Sequence, residues 1–228
     1  MGHRIRAAGG VVVAVVLATS ACSGSSRPAA APPPSGPAVD ALNQAQAAMT
    51  SLRSYGFRLT ATMTQGGATQ QLGATGRVQT PDRIAAALNN AGHQAQVIGV
   101  PEGQFVQVPP GKWQRAQGSS LQPIAWPKLL GDLVSPTIAD AGTGRSTVTG
   151  STVTGSIPAA DAVTFGFPAG ATLQKADAVT TLNAQHQVVK LDLKLAGVQG
   201  PTPVQVSEVV ELDGFDRQAP VNAPAGVV

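Results

Sequence analysis

From Phe57 onward the apolar residues recur at every second position, and that period selects strands over helices for most of the chain. Phe57, Leu59, Ala61 and Met63 alternate with Arg58, Thr60, Thr62 and Thr64, as a strand with one buried and one wet face requires. Gly66-Gly67 marks a turn, after which Leu72, Ala74, Gly76 and Val78 form a weaker strand, followed by Ile84, Ala86 and Leu88 within Arg83–Leu88. Gln94–Val100 and Gln104–Val108 read as a hairpin across Pro101-Glu102-Gly103, which Pro109-Pro110-Gly111 ends, with Trp113 just beyond. Ala178–Leu182 and Val188–Leu195 form another across Asn183–His186; in its second arm Val189, Leu191, Leu193 and Leu195 alternate with Lys190, Asp192 and Lys194. A last strand, Val204–Leu212, carries Val209 and Val210 side by side, and a bulge near Ser207-Glu208 would account for them. The tandem segments Ser146–Gly150 and Ser151–Gly155 are too few for a solenoid and read as β-rich sequence.

Two segments break this period. Val39, Leu42, Ala45, Met49 and Leu52 recur at helical spacing, with Pro37 suited to the first turn and Gly56 closing the pattern. Trp126–Val134 is a second, shorter helical stretch, with Leu129, Leu130, Leu133 and Val134 on one side and Pro127 in its first turn. Helix, antiparallel strands, helix and further strands make an α+β fold. The arrangement that fits best is a curved antiparallel sheet, a half-barrel, with helices on its concave face.

The N-terminus has a different grammar. Arg4 and Arg6 precede an apolar run from Ala7 to Ala18, the length of a signal-peptide core and short of the about 20 residues a spanning helix needs. Thr19, Ser20 and Ala21 lead into Cys22, the one cysteine. The arrangement resembles a bacterial lipobox, in which the thiol receives diacylglycerol before cleavage, although such boxes usually carry an aliphatic residue where Thr19 stands. A plain secretory signal with an incidental cysteine is the competing reading. The expected organisation is a signal peptide over residues 1–21, an acylated tether over 22–37, one folded domain over 38–216 and a flexible Pro/Ala tail over 217–228. The tether's residues Ser23–Pro37, with Pro32, Pro33 and Pro34, would reach roughly 45 Å at about 3.1 Å per residue. One cysteine permits no internal disulfide, so packing alone must stabilise the domain.

Removing the signal takes Lys+Arg from 15 to 13 by loss of Arg4 and Arg6, against 12 Asp+Glu. A nearly neutral chain without basic clusters gives no footprint for nucleic acid. His93 and His186 have no second His or Cys at metal-ligand spacing, and His3 leaves with the signal. No Gly-x-Ser-x-Gly elbow is present, and Gly111-Lys112 lacks the spacing of a phosphate loop. Neither a metal, a cofactor nor an enzymatic reaction is expected.

The order and lengths of these elements resemble the actinobacterial LppX/LprG group of lipoproteins, whose half-barrel is similar to the lipoprotein carrier LolA. The residues that carry the resemblance are Met49–Tyr55, Phe57–Thr64, Gly103–Trp113, Trp126–Val134, the closing hairpin and Glu211–Phe215. The resemblance implies a membrane-anchored protein, facing the periplasm or cell-wall side, that carries acylated lipid or glycolipid across the envelope in an apolar cavity. Many inward positions are Ala, Gly or Val, and aromatics are only 4 %, so space could remain; close packing of sheet on helix would use the same small residues. The apolar sides of the strands, Phe57, Leu59, Met63, Ile84, Leu88, Val97, Leu191 and Leu193, and of the second helix, Leu129 and Leu133, are the candidate lining. The alternative is a surface-anchored accessory protein with a filled or shallow interior that serves another envelope component such as a transporter.

Overall fold

The computed structural model describes residues 35–108, 111–116, 123–140, 151–158 and 162–227. Cys22, the signal segment, most of the tether and the first tandem segment lie outside them. Helix α1 spans Pro37–Ser51 and α2 spans Trp126–Gly131. The strands are β1 Ser54–Gln65, β2 Ala68–Gln79, β3 Arg83–Asn90, β4 His93–Val100, β5 Gly103–Gln107, β6 Gln114–Arg115, β7 Val134–Asp140, β8 Ser151–Ser156, β9 Thr172–Leu182, β10 Val188–Gln199 and β11 Thr202–Asp213.

All eleven join one antiparallel sheet in the order β6-β5-β4-β3-β2-β1-β11-β10-β9-β8-β7. The ends β6 and β7 do not pair with each other, so the sheet stays open as a curved half-barrel. The first and last long strands meet in the middle, where β1 pairs with β11 over Gly56–Gln65. Tight turns fix the register locally: Gly66 and Gly67, at φ 57° and 84°, close the β1–β2 hairpin as a two-residue turn that only positive-φ backbone allows.

One face of the sheet carries the core. Leu191, Leu193 and Leu195 on β10, and Val204, Val206, Val210 and Leu212 on β11, are buried and cluster with Ala41, Leu42, Ala45 and Met49 of α1 and Trp126, Leu129 and Leu130 of α2. The helices are joined to each other by Gln46 Nε2, which donates to the Pro127 carbonyl at 2.9 Å. In α1 the inward stripe is Ala38, Ala41, Leu42, Ala45 and Met49; Val39 is only half-buried.

Several boundaries differ from those the sequence pattern suggests. Gly56 does not close α1: the helix stops at Ser51, Leu52 is extended, and Gly56 lies within β1 opposite Asp213. The second helix ends at Gly131, and Val134 opens β7 with half its surface exposed. In β10 the ladder slips between Val188 and Lys190, so Val188 takes the inward place and Val189 is half-buried. In β11 there is no bulge at Ser207-Glu208: its pairing with both β1 and β10 runs unbroken from Val204 to Glu211. Val209 and Val210 are adjacent because Val209 faces out, and the inward series Val204, Val206, Glu208, Val210, Leu212 contains a carboxyl group.

The C-terminal segment is held against the domain as far as Val221. Asp216 Oδ1 accepts from the Arg53 and Ser54 N–H groups at 2.6 and 3.1 Å. Val221 is then pinned on the outer face, its N–H donating to Gln79 Oε1 at 3.2 Å and its carbonyl accepting from Arg83 Nη1 at 3.0 Å. Its side chain is buried in a small second cluster with Val100 and Phe105, bordered by Ile98 and Trp113. A Pro/Ala-rich composition hid this single anchoring valine.

Candidate functional site: an apolar hollow on the inner face

Pairing in the sheet sorts the inner face of β1, β2, β3 and β11 into successive rungs. Tyr55, Val78 and Ile84 share the first; Phe57, Gly76, Ala86 and Leu212 the second; Leu59, Ala74, Leu88 and Val210 the third; Ala61, Leu72 and Glu208 the fourth. Between the first three rungs, Leu72 and the segment Pro123–Trp126 lies a hollow of about 110 Å³. Ala74 and Ala86 line it with small side chains, and Gly76, on the second rung, has no room for a methyl group against the Ala85 carbonyl and the Phe57 ring.

The lining is hydrocarbon except at the inner end. There Trp126 Nε1–H donates to the Tyr55 hydroxyl at 3.2 Å. Burial pushes the Tyr55 hydroxyl up to about 12, slightly opposed by that hydrogen bond, so it stays protonated at any physiological pH. Tyr55, Val78, Ile84 and Trp126 are all buried, whereas Leu72 is 38 % exposed; the hollow therefore opens at the Leu72 rung. Larger depressions, of about 340 to 480 Å³, are open surface grooves, among them one lined by Arg58, Thr60, Thr75, Asn89 and Gln94.

Of the candidate lining residues, Phe57, Leu59, Ile84 and Leu88 border this hollow. Met63 lies further along the same face of β1, half-buried against the core. Val97 pairs with Ala86 and is buried, outside the hollow's lining. Leu191, Leu193, Leu129 and Leu133 belong to the solid core under the helices. The hollow is displaced toward the β2–β3 side because long leucines fill the β10 side. Alternation identifies an inward face without saying which part a helix covers, which is why Val78, Ala86, Val210 and the Pro123–Trp126 wall were missed.

Glu208 is the other residue missed. It is 5 % exposed, and its rung neighbours are Ala61 and Leu193. No hydrogen bond or ion pair joins its carboxyl to another described residue, and its oxygens are not among the fully buried side-chain atoms left without a partner, so they keep some access to open space. Burial alone raises its carboxyl from 4.5 to about 7. His93 and His186 lie exposed, at the start of β4 and in the β9–β10 turn. No helix among the described residues is long and apolar enough to cross a membrane.

The domain is thus an open antiparallel half-barrel with helices on one face and an apolar hollow beside them. No family model and no curated protein matches the chain. Among solved structures, it is similar to lipoprotein LppX of Mycobacterium tuberculosis: 14 % identity, 81 % of this chain, 97 % of that one and a TM-score of 0.52. LprF from Mycobacterium bovis follows at 16 % identity, 83 % and 97 % coverage and a TM-score of 0.44. A putative outer membrane lipoprotein-sorting protein domain from Vibrio parahaemolyticus gives 10 % identity, 77 % and 93 % coverage and 0.31. The LppX match shows that the chain has the LppX-like fold.

Proposed function

We propose that this chain is an exported lipoprotein, acylated at Cys22 and tethered to the outer side of the cell membrane, that carries acylated lipid or glycolipid across the envelope. The observation that carries the reading is the hydrocarbon-lined hollow between Ile84 and Trp126, open at Leu72. Each CH₂ taken out of water gains about 0.8 kcal/mol, so twelve methylenes contribute about 10 kcal/mol before the costs of ordering. Such a ligand needs no polar recognition along its tail.

The volume sets a condition on this reading. About 110 Å³ is below the about 150 Å³ of a cavity that admits benzene, and below the about 300–1,000 Å³ of ordinary ligand pockets. A full acyl chain enters only if the Leu72 mouth widens, and the half-buried Phe57, Leu59, Ala61 and Met63 extend the trough along which it would lie. The same volume favours the second reading, an accessory protein with a shallow interior that serves a transporter.

Native mass spectrometry of the full chain carrying Cys22→Ser, purified from a lipid-rich host, separates the two. Carriage predicts a co-purifying acyl lipid that Ile84→Trp removes while the fold persists. A parent chain that arrives empty and captures one envelope protein supports the accessory reading and overturns carriage.

A further inference from the structure

A carboxyl group on an apolar wall, without a protein partner, keeps its hydration only where its oxygens reach open space. The Glu208 oxygens are not among the fully buried, unpartnered side-chain atoms of the described residues, so they reach the space in front of the wall although the residue as a whole is 5 % exposed. Glu208 stands in that position within an inward series otherwise made of Val204, Val206, Val210 and Leu212. Among the described residues no hydrogen bond or ion pair reaches it. On the same face lie Leu59, Ala61 and Met63 of β1 and Leu191, Leu193 and Leu195 of β10. The inward residues of α1 and α2 are Ala, Leu, Met and Trp.

The place of this carboxyl relative to the hollow is informative. Leu72, Ala61 and Glu208 share one rung across β2, β1 and β11, so with strands about 4.8 Å apart Glu208 lies about 10 Å across the sheet from Leu72. Val210, the next inward residue of β11, lines the hollow. The residue between Glu208 and Leu72 is only an alanine. A chain that fills the first three rungs therefore brings its polar junction to the fourth. Burial keeps the carboxyl largely protonated below neutrality, with one O–H to donate and one carbonyl to accept.

The geometry points to Glu208 as the hydrogen-bonding contact for the polar junction of an acylated ligand, an ester, amide or hydroxyl carried where its hydrocarbon chain leaves the hollow. This rests on the carriage reading and adds a ligand class to it: chains with a hydrogen-bonding group at their root, preferred over plain hydrocarbon.

The test compares 1-monopalmitoylglycerol with hexadecane, each displacing cis-parinaric acid from the full chain carrying Cys22→Ser at pH 6. The parent is expected to prefer the ester by tenfold or more beyond the difference in aqueous solubility. Glu208→Leu should erase that preference, and Glu208→Gln, which still donates, should retain most of it. An independent readout needs no variant: the carbonyl stretch of bound ¹³C-labelled ester should fall below its value in hydrocarbon solvent. An unchanged preference in Glu208→Leu, or an unshifted stretch, overturns the assignment while leaving carriage intact. If the parent binds neither probe, carriage fails and this inference with it.

Discussion

Replacing Glu208 by Gln should change how the domain's stability depends on pH. In the folded chain the carboxyl titrates near 7, against 4.5 in the absence of burial. Between those values the native state holds a proton that the unfolded state has released. Stability is therefore fully present below about pH 4.5 and falls as pH rises through 7, by about 1.4 kcal/mol per pH unit and about 3 kcal/mol in all. Among the described residues no charged group pairs with it, and the facing side chains Ala61, Leu193, Val206 and Val210 are apolar. Glutamine keeps the shape and cannot ionise. Urea unfolding should give midpoints for parent and Glu208→Gln within about 0.4 M of each other at pH 5, where the unfolded carboxyl has already begun to ionise. At pH 8.5 the variant should be more stable by about 3 kcal/mol, a midpoint shift of about 1.5 M at an m-value of about 2 kcal/mol/M. A midpoint difference that is the same at both pH values would refute the reasoning, because it would mean that Glu208 ionises as readily in the native state as in the unfolded one.

Val221→Ala removes two methyl groups from the outer cluster, where Val221 is 1 % exposed; calorimetry should show a loss of about 2 kcal/mol. Trp126→Phe deletes the N–H that Tyr55 accepts while keeping an aromatic wall, and should cost about 1 kcal/mol in chemical denaturation.

Much of the architecture was legible in the alternation itself. The hairpins and the two helices follow from the period, because a half-buried strand must expose every second side chain. What the pattern does not encode is where a third element covers the sheet. Leu191 and Ile84 look alike in sequence, yet one lies beneath helices in solid core and the other lines the hollow. Glu208 is the sharper lesson: a charged residue in an apolar series reads more readily as a slipped register than as a buried acid. The unbroken ladder from β1 through β11 to β10 decides between them. Gly56 and Val134 were misassigned for a related reason, since local pattern marks the end of a helix less well than the strand pairing that begins after it.

Carriage requires an acyl chain to lie in the hollow between Ile84 and Trp126. Photo-crosslinking with a palmitoyl phospholipid carrying a diazirine near the chain terminus, bound to the full chain with Cys22→Ser, tests this directly. The label should map by peptide mass spectrometry to residues on the inner rungs, among them Tyr55, Val78, Ile84 and Trp126. Labelling confined to outer-face residues such as Arg58, Thr75 and Gln96, or no labelling, would contradict it.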